Sequence, residues 1–188
     1  MKKPIKALIT GGAGFIGSHL SEELLNRGYQ VSVIDNMSTG SLTNVEQLAK
    51  DPKFQLIETT IHDEKTLDMA VKDCDVIFHL AAAVGVHLIV EDPVKVIETN
   101  ILGTHSILKT ANVYRKKILI ASTSEIYGKG VKSPFSEYDD RVLGPTTTSR
   151  WSYAASKAVD EFLALAYYKQ LNLPIVIFRL FNTVGPRQ

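Results

Sequence analysis

Thr10-Gly11-Gly12-Ala13-Gly14-Phe15-Ile16-Gly17-Ser18-His19-Leu20 decides the reading of this chain. The short apolar run Ile5 to Ile9 precedes it, the length of a buried strand. After it, Ile16, Leu20 and Leu24 recur every fourth residue, the pattern of an amphipathic helix. The glycines therefore fall where a strand turns into a helix. Gly11 permits a tight turn, Gly14 lets a pyrophosphate approach the backbone, and Gly17 lets the helix pack close to the strand. The helix N-terminus offers free N–H groups and a partial positive charge to phosphate oxygens. A second strand, Gln30 to Ile34, ends in Asp35, a carboxylate suited to a ribose 2′-hydroxyl. The glycine spacing is G-x-x-G-x-x-G, not the commoner G-x-G-x-x-G. Its strength comes from the strand before it, the helix after it and the acid at the next strand end.

The loop that follows, Asn36-Met37-Ser38-Thr39-Gly40-Ser41, holds no Arg or Lys. A 2′-phosphate would need a cation there, so NAD is expected rather than NADP.

The rest of the chain alternates strand and helix. The first helix is expected from about Phe15 to Arg27, stopped by Gly28. Phe54 to Glu58 reads as the third strand, and Asp63 as the N-cap of a helix carrying Leu67, Ala70 and Val71. Asp75 to Leu80 is the fourth strand. Ala81-Ala82-Ala83 at its end are small enough for a flat cofactor to lie against the backbone. Asp92-Pro93 opens a helix running to about Tyr114. Lys117 to Thr123 is the fifth strand, and a long polar loop follows from Gly128 to about Arg150. Trp151 to Leu171 reads as a helix and Ile175 to Leu180 as the sixth strand. Such alternation predicts an α/β fold, a Rossmann-type doubly wound parallel sheet of order 3-2-1-4-5-6 with helices on both faces. Ligands bind beyond the carboxyl ends of such strands, where Asp35, His79 to Ala83, Thr123 and Asn182 stand.

The 188 residues suffice for one α/β domain with a true core, and the net charge of +1 shows no nucleic-acid footprint. A single cysteine, Cys74, excludes an internal disulfide framework and fits a reducing compartment. Lys2 and Lys3 are not followed by an apolar signal core, and no apolar run reaches membrane-spanning length. A soluble cytoplasmic protein without a metal site is the expectation.

Tyr153 and Lys157 are four residues apart on a predicted helix and so share a face. A nearby ammonium favours the phenolate, and a positively charged nicotinamide favours it further, so Tyr153 is expected to have a lowered pKa. Such a phenolate can take a proton from a substrate hydroxyl while hydride leaves its carbon. Lys157 could also hold the cofactor ribose. In Ser122-Thr123-Ser124-Glu125-Ile126-Tyr127-Gly128 a hydroxyl could bond the reacting substrate oxygen, or the run could be a polar turn ending the strand. Glu125 is either a second acid or base or a solvated carboxylate.

These runs, with Asp35-Asn36, Tyr153-Ala154-Ala155-Ser156-Lys157 and Arg179-Leu180-Phe181-Asn182 in the same order, resemble the extended short-chain dehydrogenase/reductase superfamily. The closest branch is the NAD-dependent nucleotide-sugar epimerase/dehydratase family, and the resemblance covers nearly the whole chain. It implies a tightly held NAD⁺ that oxidises a sugar carbon, usually C4, to a transient ketone. Epimerases return the hydride to the other face; decarboxylases and dehydratases first use the ketone to acidify a neighbouring position. By position, Tyr153 would be the base, Lys157 its partner and Thr123 the catalytic hydroxyl, with Ser124 and Glu125 beside it. The cofactor would meet Gly11, Gly14, Phe15, Ile16, Gly17, Asp35, Asn36, Ala81, Ala82, Asn100 and Lys157. Asn182 would lie near the diphosphate of the sugar nucleotide.

Dehydratases of the family show Asp-Glu after the threonine; Ser124-Glu125 departs from that and resembles UDP-glucuronate decarboxylases, as does Arg150-Trp151-Ser152-Tyr153. Many relatives with the overall pattern are UDP-hexose 4-epimerases. The expectation is a UDP-hexose 4-epimerase, with decarboxylation as the alternative. The family's acidic residue after the third strand, near the adenine, is replaced in Thr60-Ile61-His62-Asp63, a departure from the family's adenine contact, with Asp63 nearby. Family members continue into a smaller substrate domain, so residues 1–188 are expected to be the NAD-binding part, and alone to bind NAD without turnover. The helices at Pro93 and Trp151 are apolar on more than one face, as at Phe162, Leu165, Ala166 and Tyr168. That face would pair two copies as a homodimer through a four-helix bundle or be covered by the substrate domain.

Overall fold

The computed structural model describes residues 3–85, 90–130 and 132–188; Lys2 and Val131, parts of the N-terminal stretch and long loop read above, lie outside them. Six strands pair in parallel: β1 (Lys6–Thr10), β2 (Gln30–Asp35), β3 (Phe54–Glu58), β4 (Val76–His79), β5 (Lys117–Thr123) and β6 (Ile175–Leu180). Their order is β3-β2-β1-β4-β5-β6, as the alternation predicted. β1 and β4 are each displaced slightly from the expected bounds: Thr10 joins the ladder, and Asp75 and Leu80 fall outside it.

Helices α1 (Phe15–Asn26), α2 (Glu64–Asp73), α3 (Pro93–Val113) and α4 (Trp151–Leu171) cover the two faces unequally. On one face Leu24 and Leu25 of α1 pack with Ile9, Val31 and Val33. On the other, Leu67 and Val71 of α2, Ile107, Leu108 and Ala111 of α3 and Ala164 of α4 meet Leu8, Ile34, Ile77, Ile118 and Ile120. Sheet alternation sets this division, since successive residues of each strand point to opposite faces.

Local chemistry sets the ends. α1 stops at Asn26, and Gly28 takes a φ of +84°, which a residue with a side chain adopts reluctantly. Asp63 and Asp92 cap α2 and α3 by accepting the N–H groups of Thr66 and Lys95. Among the described residues, the connection from Gly128 to Arg150 forms no strand or helix. Its footing is a bridge between Gly128 and Val142 and the stack of Phe135 on Tyr127, 4.7 Å between centroids. Among the described residues no helix is long and apolar enough to cross a membrane.

Candidate active site

A cleft of about 1020 Å³ opens at the carboxyl ends of the strands. Its lining includes Gly11, Gly14, Phe15, Ile16, Gly17, Asp35, Asn36, Ala81, Ala82 and Asn182, so most of the residues expected to hold the cofactor or the diphosphate converge on one groove.

The phosphate end is shaped by missing side chains. Gly11 has a φ of +74°, and a Cβ there would lie 2.7 Å from the Ala81 nitrogen. A Cβ on Gly17 would overlap the Gly11 carbonyl oxygen and come within 2.6 Å of the Gly12 Cα. Gly14, extended at the N-cap of α1, has no capping side chain, and α1 has no acidic residue in its first turn. The first N–H groups of that helix are therefore available to an anion.

Asp35 is buried at the ribose end. Its two oxygens accept the N–H groups of Ala13 and Met37, both at 2.9 Å. Each oxygen retains a lone pair, which suits a ribose hydroxyl. Ser38 and Thr39 line the wall beyond it, and Thr59, Thr60 and Ile61 line the adjoining end. Asp63 is not part of that lining; its carboxylate is used on Thr66 as the α2 cap. A dinucleotide with an unphosphorylated 2′-hydroxyl fits this donor set.

The other half of the site corrects the expectation for the Tyr153 phenol. Asn100, expected against the cofactor, points inward: it accepts the Ala83 N–H at 2.7 Å and donates to the Ser156 hydroxyl at 3.2 Å. It thereby ties the end of β4 to α4 instead of lining the cleft. Tyr153 packs against Ala83 and Val96 at the edge of the groove. Burial pushes its phenol above the ordinary range; the Thr123 hydroxyl opposes this, while Glu125 and Asp160 add to it. The lowered pKa expected from Lys157 is not found, because burial disfavours the phenolate most. The Lys157 ammonium, almost wholly buried, donates to Asp160 Oδ2 at 2.8 Å. Asp160 was not singled out from the sequence, although Lys157 and Asp160 at i, i+3 share a helix face.

Thr123 ends β5 and accepts the Glu125 N–H at 3.2 Å; Ser124 begins the turn. Glu125 is exposed and stands 3.9 Å from Arg150, at the far side of the long loop. Beneath them lies a second buried pair. Arg179 donates twice to Glu161, at 3.0 and 2.8 Å. Burial works against the Glu161 carboxylate, but Arg179 and the Ser122 hydroxyl outweigh it and hold its pKa below the usual value. His79, at the end of β4, faces inward, not toward a ligand; burial and the Lys157 charge depress it to about 3, so it is neutral.

Fold, glycine turn, Asp35 and the Tyr153/Lys157 helix together define an NAD-dependent short-chain dehydrogenase/reductase of the extended type. Residues 8–188 match the family described as GDP-mannose 4,6 dehydratase, and the chain belongs to that family. It is 48% identical over 187 residues to the UDP-N-acetyl-alpha-D-glucosaminuronate decarboxylase of Bacillus cytotoxicus, covering 100% of this chain and 56% of that protein. Among solved structures, the UDP-glucuronic acid 4-epimerase of Bacillus cereus, in complex with UDP-glucuronic acid and NAD, is 33% identical. Its TM-score is 0.88, over 98% of this chain and 59% of that one. The UDP-N-acetylglucosamine 4-epimerase of Methanobrevibacter ruminantium M1 is 30% identical with a TM-score of 0.89, over 100% of this chain and 58% of that one. The chain thus spans a little over half the length of these relatives.

Proposed function

We propose that the whole protein is an NAD-dependent nucleotide-sugar enzyme that oxidises C4 of a UDP-linked sugar to a transient 4-ketose. The observation that carries this reading is the single groove. It has an uncapped helix N-terminus at one end, Asp35 beside it, and Tyr153 packed on Ala83 at its edge. Tyr153 takes the O4 proton, and Thr123 holds the same oxygen by hydrogen bond. Gly14, Asp35 and Ala81 would hold NAD⁺, which would supply the hydride acceptor for C4.

Of the two outcomes for the ketone, decarboxylation is the reading we favour. A C4 ketone stands β to the C6 carboxylate of a UDP-uronate, so the C5–C6 bond breaks, carbon dioxide leaves, the bonding pair stays on C5 and is delocalised onto O4, and C5 then takes a proton. The net reaction is redox-neutral. The 48% likeness to a decarboxylase and the Thr123-Ser124-Glu125 run support it. Epimerisation, expected from the sequence, remains the second reading, supported by the likeness to a UDP-glucuronic acid 4-epimerase. Residues 1–188 alone would bind NAD without turnover. The exposed Phe162, Leu165 and Tyr168 of α4 support a homodimer; a monomer at micromolar concentration in light scattering counts against it.

The test incubates the full-length protein and NAD⁺ with UDP-glucuronate, UDP-N-acetylglucosaminuronate and UDP-glucose. Carbon dioxide release supports decarboxylation, and a mixture of C4 epimers supports epimerisation. Tyr153→Phe should reduce either by about 10²–10⁴-fold while leaving NAD bound. Undiminished turnover in that variant removes Tyr153 as the base.

A further inference from the structure

A file of buried polar side chains crosses the molecule beneath the cleft. Thr10, the last residue of β1, leads into the glycine turn. Its Oγ1 accepts the Ala81 N–H at 3.4 Å, leaving its own proton for His79 Nδ1 at 2.8 Å. Neutral His79 then carries its proton on Nε2, which donates to Thr104 Oγ1 at 3.2 Å. The Thr104 proton is not used on His79, and the Thr104 hydroxyl favours the charged form of the Asp160 carboxyl without a closed hydrogen bond to it. Asp160 Oδ2 is taken by the Lys157 ammonium, while Oδ1 is buried with no hydrogen-bond partner within bonding distance. Every member is at most 3% exposed. The donor–acceptor sense runs one way from Thr10 to Thr104, and the next group is the carboxylate on which the lysine rests.

We propose that Asp160 is a positioning residue for Lys157, holding its ammonium at the end of a row of buried polar side chains that starts at the phosphate turn. The assignment rests on the reading of Tyr153 and Lys157 given above. Buried polar groups are expensive to leave unpaired, so a row of them placed under a ligand cleft needs an occupant for each donor and acceptor. Here each has one except Asp160 Oδ1, which Thr104 can supply. The row sets two things at once. It fixes where the ammonium sits, and the Asp160 charge also reaches the Tyr153 phenol. The charged and polar groups facing the phenol are Thr123 and Glu125 from the β5 turn and Asp160 from α4. Those facing Asp160 are Lys157 and Glu161 from α4 and Thr104 from α3. Removing the Asp160 charge takes away an influence that disfavours the phenolate.

The test follows phenolate formation by near-ultraviolet difference titration, with Tyr153→Phe subtracted to isolate one tyrosine among seven. Asp160→Asn should lower the Tyr153 pKa by about 1 unit or more. Thr104→Val, which removes only the donor to the carboxyl, should shift it the same way by less, and serves if Asp160→Asn folds poorly. Asp160→Glu should restore the native value in part. An unchanged or raised phenol in folded Asp160→Asn and Thr104→Val, with only the melting temperature lowered, overturns the proposal. The readout needs neither substrate nor turnover, so it stands or falls separately from the proposed reaction.

Discussion

The β1–β2 half of the molecule and the β5–α4 half are built on opposite principles. Around the glycine turn the structure depends on atoms that are missing: no Cβ at Gly11 or Gly17, no side chain capping α1. Around α4 it depends on charges that are present and buried, Lys157 with Asp160 and Glu161 with Arg179. The first half fails when something is added, and the second when something is removed. The first is local in sequence; the second joins β4, α3, β5, α4 and β6.

The sharpest break should come from one member of a buried pair. Glu161→Gln leaves the Arg179 guanidinium, 16% exposed, without its carboxylate. Losing one partner of a buried ion pair costs about 3–5 kcal/mol, because the remaining charge is uncompensated. Chemical denaturation should show that loss. The double variant Glu161→Gln, Arg179→Met should recover much of it, and no recovery would mean that the pair acts by packing and not by charge.

On the other side of the comparison, Gly17→Ala adds one methyl where both close neighbours are backbone, so no side chain can swing aside. Overpacking of this kind costs about 1–3 kcal/mol, and the rigid neighbours place it at the upper end. NAD binding should fall with it, since the helix start must move. A variant with unaltered NAD affinity and melting temperature would show that the turn is looser than its contacts indicate.

These two sites also explain what could be read in the sequence. Strand and helix positions were legible because their signals are local: glycine at the strand-to-helix turn, Asp63 and Asp92 as caps, Pro93 at a first helical position. The strand order followed from alternation alone. The catalytic side was legible as residues but not as electrostatics. Tyr153 and Lys157 announce a lowered phenol pKa by spacing, yet burial disfavours the phenolate most, and the lysine's charge is met by Asp160 on its own helix. Asn100 and His79 sit where a ligand contact is expected by position, and both are turned inward to partners distant in sequence, Ser156, Thr10 and Thr104. No periodicity records such partners.

Acid should separate the halves next. His79 carries an ordinary value of 6.5 when unfolded and about 3 when folded. Below pH 6.5 the unfolded chain binds a proton that the folded one refuses, so stability is lost as pH falls. Between pH 6.5 and 5 the loss from this residue is about 1.5–2 kcal/mol. His79→Gln should flatten that slope in urea titrations across the window. Glu161, with its pKa held below the usual 4.5, adds a further loss only under more acidic conditions. An identical slope in parent and His79→Gln would mean that His79 protonates without unfolding the chain.

Asp35 is where the two principles meet, a buried charge inside the half otherwise built from absences. Both of its oxygens already accept backbone N–H groups, one from the turn at Ala13 and one from Met37. Asparagine keeps the shape but offers one accepting oxygen, so one of those N–H groups would face another donor. The Met37 N–H is only partly buried and can turn to water, which limits the structural cost. The ribose hydroxyl loses a charged acceptor, and the expected effect is a roughly tenfold weaker NAD affinity, about 1.4 kcal/mol. NADP should lose less, because the carboxylate that repels its 2′-phosphate is gone. Calorimetric titration of Asp35→Asn with both nucleotides measures the difference. If NAD and NADP weaken equally, Asp35 serves the turn alone, and the ribose is recognised by Ser38, Thr39 or the Asn36 side of the groove.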